Sequence, residues 1–189
     1  MEDNALRIGW QRDAIDLPTS NRDQAEDADN PLAALRICLV SENPFACRTI
    51  KQILQSVGIW SVAEYRSFDL GGKALGERKF DVIIIDSAET DSEALEFVTQ
   101  VRGSFDEAVS RLPIVAVMDG ADLDRVRDIR DQGVNAILLR PFSPKGLMLR
   151  IRKALDRSAA FIRANQYVGP CRRAPRRELK SVGEERRAG

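Results

Sequence analysis

The chain has 189 residues, 43% of them apolar, which is room for one domain of about 100 to 150 residues with its own core, plus extensions. Its 29 basic and 29 acidic residues cancel, yet residues 1–30 carry eight acids against three arginines and residues 160–189 carry eight bases against three acids. The absence of histidine excludes imidazole bases, His-containing metal sites and phosphohistidine chemistry, and Cys38, Cys47 and Cys171 have the spacing of neither a disulfide framework nor a metal site.

From Met1 to about residue 33 the chain is acidic and lacks a sustained period, which predicts a flexible arm ending near Pro31. No apolar run approaches the ~20 residues that cross a bilayer, and the acidic start is not a signal sequence, so a cytoplasmic protein without a membrane span is expected. The ordered part opens with the apolar strand Leu35 to Val40. Ser41, Glu42 and Asn43 then lead to Pro44, suited to a first helical turn. Cys47, Ile50, Ile53, Leu54 and Val57 recur at helical spacing, and Gly58 supplies a stop.

A second strand is predicted near Trp60 to Tyr65 and a short helix near Lys73 to Glu77. Next comes Phe80-Asp81-Val82-Ile83-Ile84-Ile85-Asp86, a buried strand that delivers one carboxylate to its carboxyl end. In an open α/β sheet that is the end where sites form. A helix through Ala94, Leu95, Phe97, Val98 and Val101 follows, then the apolar strand Leu112 to Met118, a charged helix with the stripe Leu123, Val126 and Ile129, and the strand Ala136 to Leu139. The last helix is expected to run from Pro144 through Leu155 and as far as Ala164. Five strand-helix units in strict alternation, with strands apolar on both faces, predict an α/β fold with a doubly wound five-stranded parallel sheet covered on both sides. The domain organisation is then an acidic arm at 1–33, a body at 34–157 and a basic extension at 158–189.

Residues 34–157 resemble a CheY-like response-regulator receiver domain. The resemblance rests on Leu39 to Pro44, Val82 to Asp86, Pro113 to Met118, and Gly133 to Phe142, in that order and at matching spacing. It implies a pocket in which two acids and a phosphoacceptor aspartate hold Mg²⁺ while a hydroxyl and a lysine contact the phosphoryl group. Carried over by position, the acid pair becomes Ser41 and Glu42, the acceptor remains Asp86, the hydroxyl becomes Met118 and the lysine becomes Arg140. Three of the five positions change chemical character. If Mg²⁺ binds at all, Glu42 and Asp86 are its ligands, with lowered affinity because Ser41 removes a negative charge. Met118 has no hydroxyl, and a planar guanidinium does not replace a compact ammonium. Arg140 is equally able to pair permanently with Asp86 or Glu42. The aromatic reporter of the fifth strand aligns with Ile137. The pocket therefore reads as closer to the remnant of a phosphoacceptor site, with low-efficiency phosphorylation of Asp86 and a purely structural ion-pair cluster both open.

Beyond the last helix, Tyr167-Val168-Gly169-Pro170-Cys171-Arg172-Arg173-Ala174-Pro175-Arg176-Arg177-Glu178 is too polar and proline-broken to join the core by sequence criteria, and is expected to be flexible. Guanidinium groups bind phosphates bidentately, fork onto guanine and stack on purines. A degenerate receiver with an arginine-rich extension resembles the CheY-like cyclic di-GMP effectors of bacteria. That resemblance implies a non-enzymatic adaptor in which Arg172, Arg173, Arg176 and Arg177 contact the nucleotide, with Tyr167 as a stacking surface and Glu178 as an acceptor for guanine. It also implies a protein partner on the last strand-helix-helix face, the flagellar motor among the candidates. The alternatives are a phosphorelay receiver using Asp86, or a basic tail that meets RNA or acidic partners without selectivity; DNA binding is not expected.

Overall fold

Short apolar strands separated by amphipathic helices settle into alternating units in the computed structural model, which describes residues 32–87, 92–120, 123–158, 161–164 and 167–171. The strands β1 (Ile37–Val40), β2 (Val62–Tyr65), β3 (Val82–Ser87), β4 (Ile114–Met118) and β5 (Ala136–Leu139) form one parallel sheet in the order β2-β1-β3-β4-β5. Between them run α1 (Pro44–Ser56), α2 (Phe68–Glu77), α3 (Ser92–Arg102), the single turn α4 (Glu107–Ser110) and α5 (Leu123–Asp131), and α6 (Pro144–Ser158) follows β5. The chain divides into Met1–Asn30 and Pro31–Gly189, and every described residue belongs to the second unit.

The period of two along each strand sorts the core into two layers. Ile37, Leu39, Val82, Ile84, Val115, Val117, Ala136 and Leu138 pack with Cys47, Ile50 and Leu54 of α1 and with Leu147, Ile151 and Ala154 of α6. Cys38, Val40, Ile83, Ile85, Ile114, Ala116 and Met118 point the other way, against α2, Phe97, Val98 and Val101 of α3, and Ile129 of α5. The strands are buried on both faces because each face is roofed by helices. Local chemistry fixes the helix starts: Asn43 accepts from the amides of Phe45 and Ala46 with Pro44 in the first turn, and Ser67 accepts from Leu70. Gly58, at φ +85°, follows α1 where a side chain would be strained.

The carboxyl-terminal part differs from the sequence expectation. The last helix stops at Ser158, short of Ala164, and β6 (Phe161–Ala164) pairs antiparallel with β7 (Tyr167–Pro170). Residues assigned by composition to a tail apart from the core thus form a hairpin that packs on the body. Phe161 lies over the guanidinium groups of Arg102 and Arg111, and the backbone of Val168 and Gly169 closes on Gly133. A two-stranded hairpin is marginal alone, so tertiary contact stabilises what local polarity and Pro170 disfavour. Leu32, at the edge of the expected arm, is already buried in the core. Among the described residues, no helix is long and apolar enough to cross a membrane.

Candidate functional site

Sheet register assembles the site. Val40 pairs with Ile85, so the next residues, Ser41 and Asp86, emerge side by side at the carboxyl end of β1 and β3. Met118 pairs with Leu139, so Asp119 and Arg140 emerge together from β4 and β5, and the Arg140 amide donates to the Met118 carbonyl at 2.9 Å.

Asp86 is only 8% exposed and both its oxygens are engaged. The buried Ser41 hydroxyl donates to Oδ2 at 2.7 Å, and Nη2 of Arg140 forms an ion pair with Oδ1. The other arm of the same guanidinium, Nη1, donates to Asp119 Oδ1 at 3.2 Å. Burial acts to lower the Arg140 pKa, but the hydrogen bond to Asp86 and the charges of Asp86 and Asp119 outweigh it and hold Arg140 above its ordinary value. Arg140 therefore clamps the end of β3 to the residue after β4. Glu42 is exposed at the rim of the same cleft, about 530 Å³ in volume, whose other wall is apolar and includes Phe45, Ile53 and Phe142.

Of the positions carried over from the sequence, Ser41, Asp86 and Arg140 meet directly and Glu42 borders them. Met118 is buried in the core layer against α2, α3 and α5, and Ile137 packs against that same layer. Asp119 was missed. It could have been found by noting that the residue after β4 reaches the same depth as the residue after β5. Mg²⁺ requires several hard oxygens converging in near-octahedral geometry. Here one Asp86 oxygen accepts from Ser41 and the other faces a cation, and among the described residues no three His, Cys, Asp or Glu side chains converge to hold an ion. The residues present do not fit the ion. Tyr167 is half-buried in β7 and its hydroxyl donates to the Pro170 carbonyl at 2.9 Å. Arg172, Arg173, Arg176, Arg177 and Glu178 lie outside the described residues.

Sequence reasoning also missed a second polar centre, at the amino ends of β4 and β5. Arg102, 3% exposed at the end of α3, donates to the carbonyls of Gly133 (2.9 Å), Ser110 (2.7 Å) and Leu112 (2.9 Å) and to Asn135 Oδ1 (2.8 Å). Burial pulls its pKa down to about 10, which leaves it protonated near neutrality. Asn135 Oδ1 also accepts from the Ile114 amide that starts β4. The only sequence signal was an arginine at the end of an otherwise apolar helix face, which ordinarily marks solvent.

A doubly wound parallel sheet with one acidic residue at the carboxyl end of its central strand and a cleft beside it defines a receiver-type α/β module. The chain belongs to the response regulator receiver domain family, whose pattern matches residues 37–152. It is similar to the chemotaxis protein CheY of Pseudomonas aeruginosa, with 25% identity over 65% of this chain and 98% of that protein. It is also similar to the response regulator PleD of Caulobacter vibrioides, with 25% identity over 65% of this chain but only 26% of PleD. Among solved structures, CheY4 of Vibrio cholerae superposes with a TM-score of 0.56 at 21% identity, covering 64% of this chain and 98% of that one. The receiver domain of the sensor histidine kinase PA1611 from Pseudomonas aeruginosa, whose cleft coordinates a magnesium ion, gives a TM-score of 0.57 at 21% identity, covering 64% and 97%.

Proposed function

We propose that this chain is a non-enzymatic cytoplasmic signalling adaptor on a receiver fold, in which the Arg140 clamp suppresses phosphoryl capture at Asp86 and cyclic di-GMP supplies the input. The observation that carries the first half is the engagement of both Asp86 oxygens. An incoming phosphodonor must displace a charge-assisted pair worth more than a neutral hydrogen bond before the carboxylate can attack. The second half is supported by chemistry alone. Arg172, Arg173, Arg176 and Arg177 offer the planar forks that a ligand bearing both guanines and phosphates would use. Glu178 would accept from guanine N–H groups, and Tyr167 contributes its half-buried ring rather than its hydroxyl. The output is contact with a protein partner through the α5-β5-α6 face. The chemotaxis name of one relative makes flagellar motor components the first partners to test.

Calorimetric titration of the full chain with cyclic di-GMP tests the reading. Binding in the micromolar range or tighter is expected, with strong weakening in the Arg172→Ala/Arg173→Ala variant. Equal affinity in both proteins, or binding by neither, sinks it. Equivalent displacement by random RNA would reassign the tail to unselective polyanion binding.

A second reading, a phosphorelay receiver, is favoured by the position of Asp86 at the end of β3 beside an open cleft. Intact mass after incubation with a small acyl phosphate and Mg²⁺ separates the two. Rapid stoichiometric gain of a phosphoryl group in the wild type, absent from Asp86→Asn, would establish the second and overturn the clamp.

A further inference from the structure

β4 and β5 have one end in the Asp86 cleft and the other in the Arg102 centre. At the amino end, Asn135 accepts from the Ile114 amide through its side chain, and its own amide donates to the Ile114 carbonyl at 2.9 Å, so one residue starts both strands. Arg102 holds Asn135 in place and also grips the Leu112 carbonyl just before β4. At the carboxyl end, Asp119 directly follows β4, Arg140 directly follows β5, and the two meet with Asp86. The strands between are five and four residues long, about 15 Å; β4 is buried throughout, and β5 is buried at Ala136 and Leu138 while Leu139 is exposed. A close-packed strand of that length moves as a unit rather than absorbing a shift at one end.

The hairpin is seated on the amino-end centre. The Phe161 centroid is 5.6 Å from the guanidinium carbons of both Arg102 and Arg111, and Nη2 of Arg163 donates to Ser110 Oγ at 3.3 Å. A Cβ at Gly133 would fall 2.7 Å from the Val168 carbonyl oxygen, and one at Gly169 would fall 2.9 Å from Gly133 Cα. Gly133 is also the residue whose carbonyl Arg102 Nε binds. Contact with the hairpin and the hold on β5 thus pass through the same two residues. Four of the five guanidinium N–H groups are taken by the three carbonyls and the Asn135 side-chain oxygen, and among the described residues no carboxylate is paired with it. Its face is what Phe161 covers, so undocking the hairpin would rehydrate a cation on which the whole centre depends.

We propose that docking of the β6–β7 hairpin on Arg102 and closure of Arg140 onto Asp86 are one coupled equilibrium, transmitted along β4 and β5. Cys171 follows β7, and the arginine-rich segment continues from it in sequence at Arg172. The coupling itself requires no ligand and stands apart from the cyclic di-GMP reading.

Amide hydrogen exchange of the isotopically labelled full chain, measured by NMR without nucleotide, tests it in both directions. In Phe161→Ala, which alters a half-buried side chain, the Arg140 amide at the far end should exchange about fivefold faster or more. In Arg140→Ala, the amides of β6 and β7 should accelerate by a similar factor, because coupling free energies are reciprocal. The α1 amide of Cys47, bonded to the Asn43 carbonyl, should stay unchanged in both. Effects confined to the mutated end, acceleration in one direction only, or a uniform rise that includes Cys47 would each overturn the proposal. If Phe161→Ala fails to fold, Arg163→Ala, which removes one hydrogen bond to Ser110, is read by the same criteria.

Discussion

The two ends of the sheet are each organised by one arginine, and they solve the problem of a desolvated cation in opposite ways. At the carboxyl end Arg140 is partly exposed and is balanced by the carboxylates of Asp86 and Asp119. At the amino end Arg102 is almost completely buried and is balanced by three carbonyls and an amide oxygen, with an aromatic ring over its face. The first arrangement fixes charge around Asp86. The second fixes backbone, since each acceptor belongs to a segment that would otherwise be a loose loop end. A guanidinium with five donors can staple several carbonyls at once, which an ammonium cannot do in one plane.

If this contrast is right, Arg102→Met should cost about 3 kcal/mol or more of stability, because it strands several buried acceptors, whereas Arg140→Met should cost less, because the carboxylate it leaves keeps the Ser41 hydroxyl and lines an open cleft. Urea denaturation of the two variants compares them directly, and equal losses would erase the distinction. Gly133→Ala should come next, at about 1 to 2 kcal/mol, since φ is +105° and the new methyl meets the Val168 carbonyl. The same measurement, with limited proteolysis after Ser158 as the local readout, should show the hairpin released before the body unfolds.

The smallest effect is expected at Asp81, where an exposed arginine does the ordinary work of a surface pair. Arg36 binds both Asp81 oxygens through its side chain and one through its amide. Its hydrogen bonds, opposed by partial burial, hold the Asp81 carboxyl below the usual range. A lowered carboxylate pKa contributes stability that is present above the unfolded value, near 4, and is lost as pH falls through the folded value. The stability difference between wild type and Asp81→Asn should therefore shrink as pH drops below about 4, and a constant difference would contradict the assignment.

The sheet was legible because its information is local. Alternating strand-helix units, the Asn43-Pro44 start and the Val82 to Asp86 run each depend on neighbours a few residues away. The change of character at Ser41, Met118 and Arg140 was equally visible, since it needs only position. Asp119 was not, because its partner is 21 residues distant and the two meet only through the pairing of β4 with β5. Arg102 carried a misleading signal for the same reason: its acceptors lie 8 to 33 residues away and meet it only in the fold.

The hairpin marks the boundary most clearly. By itself the sequence determined a doubly wound parallel sheet with Asp86 at the carboxyl end of its central strand, since periodicity and residue type suffice for both. Tertiary structure alone decided that Phe161–Ala164 leave the helix, pair with Tyr167–Pro170 and cover Arg102. A polar, proline-bounded segment has no local reason to order, and gains one only when a buried cation and a side-chain-free Gly133 offer it a surface.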